Sequence, residues 1–144
     1  ELPARDSKLA HGLPQLYQGG VYADWWKLPP TDATEAWDQI AAVIERHDPN
    51  CRGVLLLGME ASEAVLQRGF RAAASHPLCR GFAVGRSIFG DAANAWFAGR
   101  MSDAQVIDDV AQRYARLIRL WQEAREAALE PSDPNHHHLS RTAT

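Results

Sequence analysis

Arg52-Gly53-Val54-Leu55-Leu56-Leu57-Gly58 is the stretch that decides the fold. It is continuously apolar where a half-buried strand would alternate, the pattern of a strand buried on both faces in a parallel sheet. Just ahead of it, Pro49-Asn50-Cys51-Arg52-Gly53 has an internal copy in Pro77-Leu78-Cys79-Arg80-Gly81, and each opens an apolar strand after a helix. Strand–helix units repeating in this way predict a parallel βα array. Cys51 and Cys79 then occupy equivalent strand starts, at the end opposite the one where such folds keep their chemistry, and read as packing residues.

Working outward, Trp37, Ile40, Ala41 and Ile44 recur with the period of an amphipathic helix lying on a sheet. Asp32 and Glu35 are spaced as a capping box ahead of it, and His47-Asp48-Pro49-Asn50 ends it. After the central strand, Ser62-Glu63 starts another helix carrying Leu66, Phe70, Ala73 and Ala74, and His76-Pro77 stops it. The next strand, Arg80 to Gly85, leads into Arg86-Ser87-Ile88-Phe89. On the other side, residues 7–18 read as a helix with Leu9, Leu13 and Leu16 on one face and Pro14 as a kink. Gly19-Gly20 ends it before the first strand, Val21-Tyr22-Ala23-Asp24-Trp25-Trp26-Lys27-Leu28, which Pro29-Pro30 halts. Towards the C-terminus a short helix spans Asp91 to Ala98, and Gly99 breaks it. Ser102 and Gln105 form a second capping box for the longest helix, whose stripe is Ile107, Val110, Ala111, Tyr114, Leu117, Ile118 and Trp121. Residues 130–144 read as a disordered polar tail, and His136-His137-His138 within it as solvated rather than metal-binding.

At 144 residues the chain is one domain or less, and 46% apolar residues suffice for a packed core. A net charge of −3 without a basic stripe argues against nucleic acid. No apolar run is long enough to span a bilayer, and residues 1–6 lack a signal-peptide hydrophobic core. Two cysteines make neither a disulfide framework nor a metal site. The expectation is a cytoplasmic chain with neither metal nor cofactor.

Three strand ends carry the candidate chemistry. Lys27, set among tryptophan and leucine, is expected to lose solvation; its pKa would fall and its neutral amine become a nucleophile towards a carbonyl. The plainer alternative is a lysine that snorkels out of a strand end. Gly85-Arg86-Ser87 passes from a strand into a helix, bringing backbone N–H groups, a helix N-terminus and a guanidinium to one phosphate-sized point. The alternative there is an arginine tied to a neighbouring acid. Gly58 would let backbone approach a ligand at the adjoining lip, where Glu60 is an awkward neighbour for phosphate. The ends of parallel strands share one side of the sheet, so these groups are expected to converge. An amine beside an anion pocket is what a Schiff-base aldolase acting on a ketose phosphate requires.

Ala23 to Pro30, Arg52 to Gly58 and Gly81 to Phe89 resemble the C-terminal aldolase-like (DUF2090-type) domain fused to 5-dehydro-2-deoxygluconokinases, the sugar kinases of myo-inositol catabolism. The likeness runs from about Leu16 to Trp121 and extends more distantly to class I tagatose-bisphosphate aldolases. It implies the last three strand–helix units of a TIM-type barrel over residues 1–129, with Lys27 as the Schiff-base residue and Gly85 and Arg86 at the phosphate. Pro29 stands where those aldolases commonly carry an acid, and Gly58-Met59-Glu60 replaces their small-residue phosphate loop. The resemblance also implies that five strands, and the general acid/base, lie outside this chain, in the remainder of the barrel or in a second copy. The expected function is an aldolase-type module that cleaves 2-deoxy-5-keto-gluconate 6-phosphate, with Lys27 as the amine and Gly58, Gly85, Arg86 and Ser87 around the phosphate. A non-catalytic phosphosugar-binding or oligomerisation module of the kinase is the alternative.

Overall fold

The computed structural model describes residues 5–59 and 61–129. Eight elements follow one another: α1 (Arg5–Gln18), β1 (Trp25–Leu28), α2 (Thr34–His47), β2 (Gly53–Leu57), α3 (Glu63–Ala74), β3 (Cys79–Ala83), α4 (Arg86–Phe97) and α5 (Asp103–Leu129). The strands form one parallel sheet in the order β1-β2-β3, with a helix crossing over between each pair. The chain is thus an α/β protein of alternating strand–helix units. The predicted disordered tail, His136–His138 and Glu60 lie outside the described residues.

The internal copy is a structural one. Cys51 Sγ lies 3.8 Å from the Gly53 carbonyl and Cys79 Sγ 3.9 Å from that of Gly81. Gly53 holds φ at 141°, and a Cβ there would stand 2.7 Å from both Arg80 Cγ and the Leu78 carbonyl oxygen. Only glycine lets β3 and the Arg80 stem come this close at the start of β2.

Burial of β2 on both faces, expected from its apolar run, is not what the structure shows. Val54 and Leu56 are fully buried, whereas Leu55 and Leu57 are partly open. β1 alternates in the same way, with Trp26 and Leu28 buried and Trp25 and Lys27 exposed. Register aligns this side into rows, the buried Trp26–Val54–Cys79 and Leu28–Leu56 with the partly buried Phe82. On that side one core cluster joins the sheet to Trp37, Ile40 and Ile44 of α2, Leu66 and Phe70 of α3, and Leu117 of α5. Among the described residues all the covering helices serve one face, and the other is partly open to solvent.

The covered side is tied together by directed contacts. Trp26 Nε1 donates to the Tyr17 hydroxyl at 2.9 Å, which fixes α1 against β1. Phe70 stacks on Phe82 and meets Trp121 edge-on, locking α3 and α5 to β3. Arg125 Nη1 of α5 donates to the Ala74 carbonyl at 2.9 Å and so satisfies one of the orphan carbonyls at the end of α3.

Candidate functional site

β1 sets Lys27 on the uncovered face because Trp26 and Leu28, its neighbours, take the covered one. In register Lys27 lies opposite Leu55, which in turn lies opposite Gly81. The expected enclosure by tryptophan and leucine is therefore not met among the described residues: Lys27 is exposed. The strand stops at Pro29 and Pro30, which cannot continue a ladder, and Thr31 Oγ1 then accepts from the Ala33 N–H at 3.2 Å.

At the end of β2, Gly58 is buried. A Cβ there would stand 2.6 Å from Val84 Cγ1 and 3.3 Å from Ser87 Oγ, so the space that glycine leaves is filled by the β3–α4 junction. The chain then turns through Met59, a non-glycine residue with φ of 49°, and the Ala61 N–H donates to the Gly58 carbonyl at 2.8 Å.

β3 runs through Val84 and Gly85 straight into α4. Gly85 is the N-cap; its carbonyl accepts from the Ile88 N–H at 2.8 Å and no side chain caps the helix. α4 carries no acid in its first turn, whereas α2, α3 and α5 carry Glu35, Glu63 and Asp103. The positive end of its dipole is therefore not offset by an acid of its own first turn. Ser87 Oγ is shut off from solvent and has no hydrogen-bond partner among the described residues. Such an atom is the kind a ligand or an ordered water satisfies.

Arg86 and Ser87 line a half-open cavity of about 720 Å³ between the start of α3, residues 86–94 of α4, and α5. Gly58, Gly85, Arg86 and Ser87 thus gather around one helix start. Lys27 does not line this cavity, and it stands two strands away from β3, about 10 Å across the sheet. The residues that complete the cavity, among them Glu63, Asn94, Arg113 and Leu117, were missed at the level of sequence. The one available signal was Arg113, spaced i,i+4 from Asp109 and bonded to it at 2.8 Å. Among the described residues no cluster of His, Cys, Asp and Glu could hold a metal ion, and no helix is long and apolar enough to cross a membrane.

Residues 1–125 match the family described as an uncharacterized protein conserved in bacteria (DUF2090). No curated protein and no solved structure matches the chain.

Proposed function

The chain belongs to this uncharacterised bacterial family, and we propose that it is a phosphosugar-binding βα module whose anion site is the first turn of α4. The observation that carries this reading is the cavity lined by Arg86 and Ser87 at a helix start with neither a side-chain cap nor an acid of its own. A phosphate there would accept from backbone N–H groups of the first turn, with Arg86 supplying charge. Thermal stabilisation of the chain by inorganic phosphate, abolished in Arg86→Ala, is the expected result. Equal melting temperatures with and without phosphate, and equally with a sugar phosphate, would refute the assignment.

Aldolase chemistry is the second reading, favoured by the position of Lys27 on the uncovered face, one residue before the end of β1. Here the three units are the last three of a TIM-type barrel, closed in the cytoplasm by further strands of a kinase-fused protein of inositol catabolism or by a second copy. The Lys27 amine condenses with the ketone of 2-deoxy-5-keto-gluconate 6-phosphate, releasing water. The iminium accepts the electron pair of the breaking C–C bond, and an acid/base group from the covering strands moves the protons. Malonic semialdehyde leaves, the enamine left on Lys27 is protonated, and water hydrolyses the resulting iminium to release dihydroxyacetone phosphate and restore the amine. Borohydride should then trap an adduct on Lys27 in the intact protein, and its absence would remove this reading while leaving the anion site standing.

A further inference from the structure

We infer that Glu63, Asp91 and Asn94, which line the same cavity as Arg86, read the hydroxyl groups of a phosphorylated polyol; this rests on the phosphosugar reading above and adds the residues that select the sugar. The cavity is of a size that takes small metabolites, within the usual range of about 300–1,000 Å³. Its inner side is apolar, with Leu66 and Leu117 almost fully buried. Phe89 stands half-exposed at the rim, an aromatic surface that can lie against the C–H side of a sugar.

The two carboxylates are held in place from α5. Arg116 Nε meets Glu63 Oε2 at 2.6 Å, and Arg113 Nη1 meets Asp91 Oδ2 at 3.3 Å. Arg113 is itself steadied by Asp109 at 2.8 Å. Exposed ion pairs of this kind contribute little to folding, but they orient the acids at the cavity. A carboxylate has about four lone-pair sites, so each keeps acceptor capacity beyond its arginine. Asn94 adds a side-chain donor and acceptor on the next turn of α4. Bare phosphate has few protons to offer such acceptors and is repelled by their charge. A polyol phosphate supplies hydroxyl donors to those groups while its anion sits at Arg86, so both ends of one ligand are matched.

Isothermal titration of the full chain with inorganic phosphate, sorbitol and sorbitol 6-phosphate tests this. Sorbitol 6-phosphate should bind at least tenfold more tightly than phosphate. Asp91→Asn and Asn94→Ala should each cut that advantage several-fold and leave phosphate affinity unchanged or, for Asp91→Asn, raised. Asn94 is exposed, so its variant keeps the test available should Asp91→Asn loosen the α4–α5 contact, which a thermal melt would reveal. Phosphate binding with no gain for sorbitol 6-phosphate, or a gain that neither variant touches, overturns the polyol assignment alone. Failure of both anions to bind overturns the phosphosugar reading together with it.

Discussion

Alternate residues of the same three strands make two faces with opposite surroundings. Trp26, Leu28, Val54, Leu56 and Cys79 are sealed beneath helices, while Trp25, Lys27, Leu55 and Leu57 look out from the other side. The second face sets Lys27 among apolar residues, and among the described residues only the first has a cover. Parallel sheets are ordinarily covered on both sides. The bare face therefore marks where the chain's own interactions end, and the covered one marks where its stability resides.

The sharpest way to break this contrast is to truncate neighbours on one strand. Leu56→Ala should cost about 2–5 kcal/mol, since Leu56 is 0% exposed in a packed core. Leu55→Ala should cost under ~1 kcal/mol, because a partly open side chain leaves little cavity behind. Denaturant midpoints measure both, and equal losses would mean that the second face is buried in solution.

A smaller effect is expected from Tyr17→Phe, which keeps the ring but leaves the buried Trp26 N–H without its acceptor. That orphan should cost about 1–3 kcal/mol. A loss below a few tenths would show that water reaches the Trp26 side of the sheet.

The two cysteines extend the comparison into pH. They occupy equivalent places in the internal copy, yet Cys79 is buried and Cys51 only half so. Burial pushes the Cys79 thiol up from its ordinary 9.0 to about 12, and raises that of Cys51 for the same reason. A thiol whose folded pKa is raised keeps its proton longer in the folded chain than in the unfolded one. Its contribution is whole below pH 9 and is lost as pH climbs from about 9 to 12, by about 1 kcal/mol per unit. Alkaline unfolding of Cys79→Ala should lack this slope, and a thiol reagent should modify Cys51 well before Cys79.

Much of the covered face was legible because packing obeys period. The stripe Trp37, Ile40, Ala41 and Ile44 became the buried side of α2. The box of Ser102 and Gln105 formed as spaced, with the Ser102 N–H donating to Gln105 Oε1 at 2.8 Å and the Gln105 N–H to Ser102 Oγ at 3.4 Å. Asp32 and Glu35 did not make theirs. The Thr31 hydroxyl turns the chain first, the helix begins only at Thr34 behind Ala33, and Asp32 pairs with Arg68 of α3 instead. α4 begins at Arg86 rather than Asp91, because Gly85 hands the strand directly to the helix. The long stripe on α5 was legible as amphipathic but not as packed: Leu117 is buried, while Ile107 is 70% exposed. Periodicity reports that a face is apolar and says nothing of what covers it. The same limit hid the setting of Lys27, since an uninterrupted apolar strand reads alike whether its second cover is in the chain or outside it.

Lys27 supplies the smallest effect and the most informative one. On an open face its ammonium stays hydrated and its stem is loosely packed, so Lys27→Met should change the stability of this chain by no more than about 0.5 kcal/mol. A cover over that face would reverse the sign of the reasoning. The amine would then lose water and need a partner on the covering side, and replacing it would alter stability by well over 1 kcal/mol in either direction, according to whether that partner is a carboxylate or an apolar surface. Measured by denaturant unfolding of the chain and of any longer protein that carries it, the two values separate a lysine that merely edges a sheet from one enclosed in a closed site. A large effect in the chain by itself would mean that two copies already close over each other's bare face.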